Sequence, residues 1–199
     1  MKFFGVKLAA IVGLVVGLAG VSLAGNPADM SSVLRPPKGA KMAIVIFEDL
    51  QCPMCAQVAP LVDRAGLQYN IPVIRHDFPL PKHSWSYNAA VLARFFDTQS
   101  LKLGNDFRDQ VFAHQMEITP GNLRSFAERY ANAHKVELPF VIDPQGKLAA
   151  EVNADRDLGN RIGIDHTPTL YVVTNRTSQP YVEVTDTNQL FQTIDRLRQ

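Results

Sequence analysis

Two cysteines, Cys52 and Cys55, are the residues of this 199-residue chain best suited to chemistry. They are its only cysteines, and they frame the motif Cys-Pro-Met-Cys. The spacing lets the two sulfur atoms meet, and thiol–disulfide exchange proceeds by attack of a thiolate and resolution by a second thiol. The motif therefore predicts a redox-active pair, with Cys52 as the exposed attacking thiol and Cys55 as the resolving thiol.

The residues after Cys52 predict a helix over 53–69, so the motif stands at a helix N-terminus. Apolar residues repeat there at helical spacing, namely Val58, Leu61, Val62, Ala65 and Tyr69. Pro53 suits the first helical position, and the free N–H groups of that turn favour a thiolate on Cys52. A structural disulfide or half of a metal site is the alternative, although so small a loop would stabilise little.

A second element with chemical potential is the sequence His166-Thr167-Pro168-Thr169, directly before a predicted strand. A cis bond in a tight turn accounts for a proline at that place. A cis Pro168 would leave the backbone N–H and C=O of Thr167 free to pair with an extended substrate. We therefore predict that Thr167 and Pro168 bind substrate.

The elements that must position these residues follow from hydrophobic spacing. Strands are predicted over 42–47, 71–78, 169–174 and 181–184. Helices are predicted over 53–69, 86–97, 104–115 and 186–197. Two more are predicted between them, one that starts with Thr119 as its cap and one that starts at Asp143-Pro144 and stops at Gly163. This order predicts an α/β fold in which a mixed sheet is flanked by helices and interrupted by a helical insertion over 84–163.

The N-terminal segment 1–24 has the pattern of an export signal. Lys2 and Lys7 precede an apolar stretch, and Ser22 and Ala24 are small residues at the spacing of a cleavage site. An uncleaved membrane anchor is the alternative. Either outcome predicts an exported, periplasmic or extracytoplasmic domain, a compartment in which disulfides persist.

Composition and charge exclude several classes of protein. Hydrophobic residues make up 46% of the chain and charged residues 20%, which excludes disorder. The formal net charge of +1 gives no basic face for nucleic acid. With two cysteines, a structural zinc site would have to recruit two histidines. We therefore predict no metal, and no cofactor besides the Cys52–Cys55 disulfide.

From about residue 40 to 198, the chain resembles the DsbA-like branch of the thioredoxin superfamily. The matching segments are FEDLQCPMC at 47–55, RHDFPLPKH at 75–83, ITPGNLRSFAERY at 118–130 and DRDLGNRIGIDHTPTLYVV at 155–173. Residues 25–41 carry Gly, Pro and Ser without periodicity, which predicts a tether. The resemblance implies a thioredoxin-like domain over 42–83 and 164–199, and an inserted helical domain over 84–163. It also puts His166 beside the active site, where we expect it to face substrate, with tuning of Cys52 or metal ligation as alternatives. The family's nucleophile, resolving cysteine and cis-proline carry over to Cys52, Cys55 and Pro168.

The resemblance also implies an extracytoplasmic thiol–disulfide oxidoreductase, with the direction of electron flow left open. Its partners would be reduced or unfolded exported proteins and a membrane or soluble redox partner. Nucleic acid is not an expected partner. Contact with the membrane is expected only through an uncleaved signal segment.

Two positions depart from the family pattern. Relatives often carry a buried acid six residues before the first cysteine, where this chain has Ile46, while Glu48 and Asp49 lie closer to the motif. Met54 replaces the histidine that strongly oxidising members place between the cysteines. Loss of that donor predicts a milder oxidant, with Pro53 and Met54 as the residues that tune the redox pair.

Two other functions are compatible with the same residues. A copper(I) metallochaperone would use Cys52 and Cys55 with His166 or Met54, because soft ligands suit that ion. A noncatalytic interaction domain is disfavoured because both cysteines and the Thr-Pro pair are intact.

Overall fold

The protein, described here by a computed structural model at residue 30 and residues 33–199, contains a four-stranded mixed sheet. The sheet consists of β1 (Met42–Glu48), β2 (Val73–Asp77), β3 (Thr169–Thr174) and β4 (Tyr181–Glu183) in the order β2-β1-β3-β4. Strand β1 pairs parallel with β2 and antiparallel with β3, which pairs antiparallel with β4. The predicted α/β class with a mixed sheet is confirmed. The predicted signal segment 1–24 lies outside the described residues.

Six α-helices accompany the sheet within the part of the chain that the structure describes. They are α1 (Pro53–Tyr69), α2 (Ser86–Gln99), α3 (Leu101–Ala113), α4 (Leu123–Ala133), α5 (Lys147–Ile162) and α6 (Leu190–Arg198), the last preceded by a 3₁₀ turn at Thr187–Gln189. Helices α1 and α6 cover one face of the sheet and α5 covers the other, whereas α2, α3 and α4 form a helical cap.

Strand β1 lies at the centre because Met42–Phe47 are apolar on both sides of the strand, and the whole of β1 is buried. Ile44 and Ile46 point towards α1 and α6, whereas Val45 and Phe47 point towards α5. The close approach of α5 depends on Gly159, since a Cβ there would lie 2.5 Å from the ring of Phe78. Helix α5, predicted as part of the insertion, therefore packs on the sheet.

The helical cap has its own aromatic core, and this core reaches the redox motif. Phe96 packs against Phe107 and Tyr130, with ring centroids 4.6 and 4.9 Å away. Cys52 and Cys55 are members of the same buried cluster. The motif therefore lies where the cap meets the sheet, so both layers can influence the two sulfur atoms.

A buried arginine ties the cap to the sheet. Arg108 of α3 is 2% exposed and donates to Asp97 of α2 at 2.9 Å and to Asp77 of β2 at 3.2 Å. Charged groups are buried at low cost only when they are paired in this way. The pairs therefore fix the position of α3 relative to the sheet edge.

Two helix starts differ from the sequence-based prediction. Helix α4 begins at Leu123 with Asn122 as its N-cap, so the predicted Thr119 cap is wrong. The side-chain oxygen of Asn122 accepts from the backbone N–H of Thr119 at 2.7 Å, which closes a turn over 119–122. Helix α5 begins at Lys147 with Gly146 as its N-cap, and not at the predicted Asp143-Pro144. Its C-cap is Gly163, as predicted, and the φ of 83° at that glycine is the left-handed conformation expected of a helix stop.

The segment predicted as a tether is partly packed against the domain. Leu34 is fully buried among residues of β1 and β3, and the Met30 sulfur lies 3.8 Å from the Tyr181 hydroxyl. The described part of this segment is therefore attached to the sheet. Among the described residues, no helix combines the length and the apolar character needed to cross a membrane.

Candidate redox site

Cys52 lies at the N-terminus of α1, where the chain leaves β1 through a tight turn. Its N–H donates to the Asp49 carbonyl at 2.9 Å, and its own carbonyl accepts from Ala56 at 3.2 Å. Pro53 occupies the first helical turn, as predicted. Cys52 is 7% exposed and Cys55 is fully buried. The expectation of an exposed Cys52 is therefore corrected: the cap covers most of it, although it remains the more accessible of the two.

The environment of Cys52 favours its thiolate. The pKa of Cys52 is lowered to about 5, chiefly because the Cys55 thiol donates a hydrogen bond to its sulfur. Burial opposes this shift, whereas the Thr167 side chain and the first N–H groups of α1 add to it. The N–H groups at the start of a helix and the positive end of its dipole stabilise an anion in this position. Cys52 is therefore ionised at neutral pH.

The environment of Cys55 has the opposite effect. Burial, followed by its hydrogen bond to Cys52, raises the pKa of the Cys55 thiol well above its ordinary value. The backbone N–H of Asp49 lies 3.4 Å from the Cys55 sulfur and opposes that rise, whereas the charge of Glu48 adds to it. One sulfur thus favours the thiolate and its neighbour the thiol. The attacking role of Cys52 and the resolving role of Cys55 stay predictions.

The two acids near the motif are both buried, and each has a defined role in the structure. The Asp49 carboxylate accepts from the backbone N–H groups of Gln51 and Leu80 and lies against His83 Nδ1, each at 2.7 Å. It therefore holds the turn that leads to Cys52. Burial raises the pKa of Glu48, and a two-point contact with Arg75 at 2.8 and 3.0 Å opposes that rise.

Gln115 is a part of the site that sequence reasoning missed. Its Nε2 donates to the carbonyl of Leu50 at 2.8 Å and to that of Cys52 at 3.0 Å. A second link runs from the redox turn to the start of α2, where the Gln51 side chain accepts from the backbone N–H of Trp85 at 2.9 Å. These bonds fasten the redox turn to the cap. No local signal could have identified them, because the partners are separated by up to 65 residues in the chain.

The predicted substrate-binding loop lies against the redox pair. The Thr167–Pro168 bond is cis, and the Cys52 sulfur lies 3.3 Å from the Thr167 carbonyl oxygen. Thr167, Pro168 and Cys52 are thus brought together, and binding of substrate by the first two stays a prediction. Met54 is 52% exposed beside them.

His166 faces solvent. Its side chain is 65% exposed, and its Nδ1 lies 2.7 Å from the Asp165 carboxylate, which lowers the pKa of Asp165. Within residues 30 and 33–199, no three or more His, Cys, Asp or Glu side chains are grouped as metal ligands. The copper alternative and the predicted lack of a cofactor stay predictions.

The site and a fold of the DsbA-like type define a thioredoxin-like protein, and comparison with known proteins confirms this class. The chain belongs to the thioredoxin family, whose model, described as Thioredoxin, matches residues 37–189. This match confirms the thioredoxin-superfamily resemblance, and the site assignments made from it stay predictions.

Three similar solved structures come from different bacteria. The thiol-disulfide exchange protein alpha-DsbA2 of Wolbachia pipientis has a TM-score of 0.66 at 18% identity, covering 85% of this chain and 94% of that one. ScsC of Proteus mirabilis in a transitional conformation has a TM-score of 0.63 at 20% identity, covering 85% of this chain and 77% of that one. DsbA2 of Pseudomonas aeruginosa has a TM-score of 0.58 at 21% identity, covering 82% of this chain and 92% of that one.

Curated relatives with similar sequences are much longer than this chain. Na(+)/H(+) antiporter NhaA 3 of Salinispora tropica is 30% identical over 154 residues, which are 74% of this chain and 22% of that protein. Na(+)/H(+) antiporter NhaA 1 of Salinispora arenicola is 27% identical over 165 residues, 82% of this chain and 24% of that protein. The chain thus spans less than a quarter of the length of these relatives.

Proposed function

We propose that this protein is an extracytoplasmic thiol–disulfide oxidoreductase that exchanges disulfides with exported proteins through Cys52 and Cys55. The observation that carries the proposal is the unequal ionisation of the two sulfur atoms. The pKa of Cys52 is lowered to about 5, whereas that of Cys55 is raised by burial. A thiolate beside a protonated thiol is the state from which a dithiol begins disulfide exchange.

The exchange begins on Cys52. Its thiolate attacks one sulfur of a substrate disulfide, so that a Cys52–substrate disulfide forms and the other substrate sulfur leaves as a thiolate. The Cys55 thiol then gives up its proton and attacks the Cys52 sulfur, which releases the second substrate thiolate. The substrate gains two electrons and the protein becomes the Cys52–Cys55 disulfide. The same steps in reverse oxidise a substrate dithiol.

The surroundings of Cys52 support a polypeptide substrate. The Thr167 carbonyl oxygen lies 3.3 Å from the Cys52 sulfur, directly before cis-Pro168. An extended chain that pairs with the backbone at Thr167 would therefore place its own sulfur beside Cys52. The export signal predicted over 1–24 supports an extracytoplasmic setting and hence exported proteins as partners, together with a membrane or soluble protein that restores the redox state.

The direct test is catalysis of disulfide reduction in insulin, with dithiothreitol as the final reductant. The wild-type protein should accelerate precipitation of the insulin B chain, and Cys52→Ser should reduce the rate to that of dithiothreitol alone. Wild-type protein that leaves the uncatalysed rate unchanged would contradict the proposal. So would a Cys52→Ser variant that keeps its activity.

A further inference from the structure

An apolar groove runs between α1 and α3 and is not used by the redox chemistry. Its volume is about 300 Å³. Small or apolar residues form its walls and floor, namely Ala56, Ala59 and Pro60 of α1 and Phe112 and Ala113 of α3. Two carboxylates, Asp63 and Asp109, lie at the end remote from the motif. The groove is therefore apolar along its length and acidic at one end.

The other end of the groove opens beside the attacking thiol. Ala56 is one helical turn from Cys52 and donates its N–H to the Cys52 carbonyl at 3.2 Å. On the opposite side, Gln115 holds the end of the cap against the same carbonyl at 3.0 Å. Met116, next to Gln115, is 94% exposed. A chain that reacts at Cys52 can therefore continue directly into the groove.

The two carboxylates at the acidic end share a buried guanidinium with Glu48. One guanidinium, that of Arg75, is shared among Asp63 at 2.6 Å, Glu48 at 2.8 Å and Asp109 at 3.6 Å. Partial burial and the nearby Asp63 raise the pKa of Asp109 to about 6, against the effect of Arg75. The Asp63 and Asp109 side chains are 36% and 44% exposed, so a further cation can reach both.

We propose that the groove binds the segment of a substrate polypeptide adjoining its reacting cysteine, and that it selects apolar residues followed by a lysine or arginine. This inference rests on the proposed function. Cys52 and Asp63 are 63 − 52 = 11 residues apart on α1, or about 16 Å at 1.5 Å per residue. An extended chain advances about 3.3 Å per residue, so the basic residue lies about five residues from the substrate cysteine.

The test uses synthetic peptides and the Cys55→Ser variant, in which the reaction stops at the mixed disulfide. Each peptide has one cysteine joined by a disulfide to a chromophoric aryl thiol. The Cys52 thiolate attacks the peptide sulfur, forms the Cys52–peptide disulfide and releases the aryl thiolate, which is followed by stopped-flow absorbance. The peptides carry four apolar residues and then Lys or Glu, on either side of the cysteine.

At low ionic strength, the Lys peptide should react about threefold to fivefold faster than the Glu peptide, as expected for partly exposed ion pairs. Asp109→Asn in the Cys55→Ser background should remove most of this advantage. Asp157→Asn, on the exposed side of α5, is the matched control and should preserve it. Ala113→Trp, which fills the groove, should slow both peptides but not a small aryl disulfide without a peptide.

Two outcomes separate failure of the groove from failure of the proposed function. If the small aryl disulfide reacts readily while Lys and Glu peptides react at equal rates, the groove proposal is wrong and the redox function stands. If Cys52 reacts with no disulfide at all, the proposed function fails with it. A Lys advantage that survives in folded Asp109→Asn protein, as shown by circular dichroism, also overturns the groove assignment.

Discussion

The ionisation of Cys52 should make the stability of the reduced protein depend on pH in a way that the oxidised protein does not share. In the folded dithiol, the pKa of Cys52 falls from an ordinary 9.0 to about 5. A lowered folded-state pKa adds stability that is complete above the unfolded pKa and disappears as the pH falls through the folded value. The reduced protein should therefore lose this contribution between pH 7 and pH 5.

The size of the effect follows from the same pKa. At pH 7 the solution lies about two pH units above the folded pKa and well below the unfolded one, which gives an upper limit of about 2.7 kcal/mol. Solvent close to the motif screens part of this, so we expect about 2 kcal/mol. The same free energy raises the reduction potential of the Cys52–Cys55 pair by about 40 mV at pH 7.

The assay is urea unfolding of the reduced and the disulfide forms between pH 4 and pH 7 without oxygen. The informative quantity is the difference between their free energies of unfolding, because carboxylates and histidines common to both forms largely cancel. This difference should shift by about 2 kcal/mol in favour of the reduced protein as the pH rises from 4 to 7. Reduced Cys52→Ser protein is the control and should lack the shift.

A difference that changes by less than about 0.5 kcal/mol over this range would refute the reasoning, because Cys52 would then not be a thiolate in the folded protein at neutral pH. Thiolate absorbance at 240 nm gives an independent reading. Its midpoint should lie near pH 5, and a midpoint above pH 7 would refute the same claim.

Three further substitutions test other parts of the site and its support. Gln115→Met removes two donors to the redox turn and should lower the free energy of unfolding by about 1–2 kcal/mol in urea, whereas an unchanged value would mean that these hydrogen bonds contribute nothing to stability. Gly159→Ala places a Cβ 2.5 Å from the Phe78 ring and should cost about 1–3 kcal/mol in thermal unfolding, whereas Gly121→Ala, with no contact closer than 3.8 Å, is the tolerant control. Met54→His should raise the potential measured against glutathione, and an equal or lower potential would contradict the assigned role of that position.

Local signals in the sequence predicted the elements that carry the redox pair. The apolar spacing over 53–69 and Pro53 at its start correspond to the observed helix α1, Pro53–Tyr69. The proline before β3 predicted the cis bond found at Pro168. In each case the physical cause is contained within a few consecutive residues, so the pattern could be recognised without the fold.

Long-range polar contacts could not be predicted in this way. Asp49 and His83 are 34 residues apart, and their hydrogen bond depends on how the loop after β2 returns to β1. The partial burial of Cys52 likewise results from packing of the cap, which no motif encodes. The wrong prediction at Thr119 has a related origin. Thr119 and Asn122 are both residue types that cap helices, and Asn122 is the observed N-cap, with its side-chain oxygen accepting from the Thr119 N–H.

The most direct test of the central claim is to identify which sulfur forms the bond to a substrate. Cys55→Ser and Cys52→Ser proteins would each be reduced and mixed with a denatured protein that contains one disulfide, and the adducts would be mapped by mass spectrometry of proteolytic peptides. Our account predicts a stable adduct on Cys52 in the Cys55→Ser variant and none in the Cys52→Ser variant at neutral pH. An adduct on Cys55 of comparable yield, or no adduct in either variant, would contradict it.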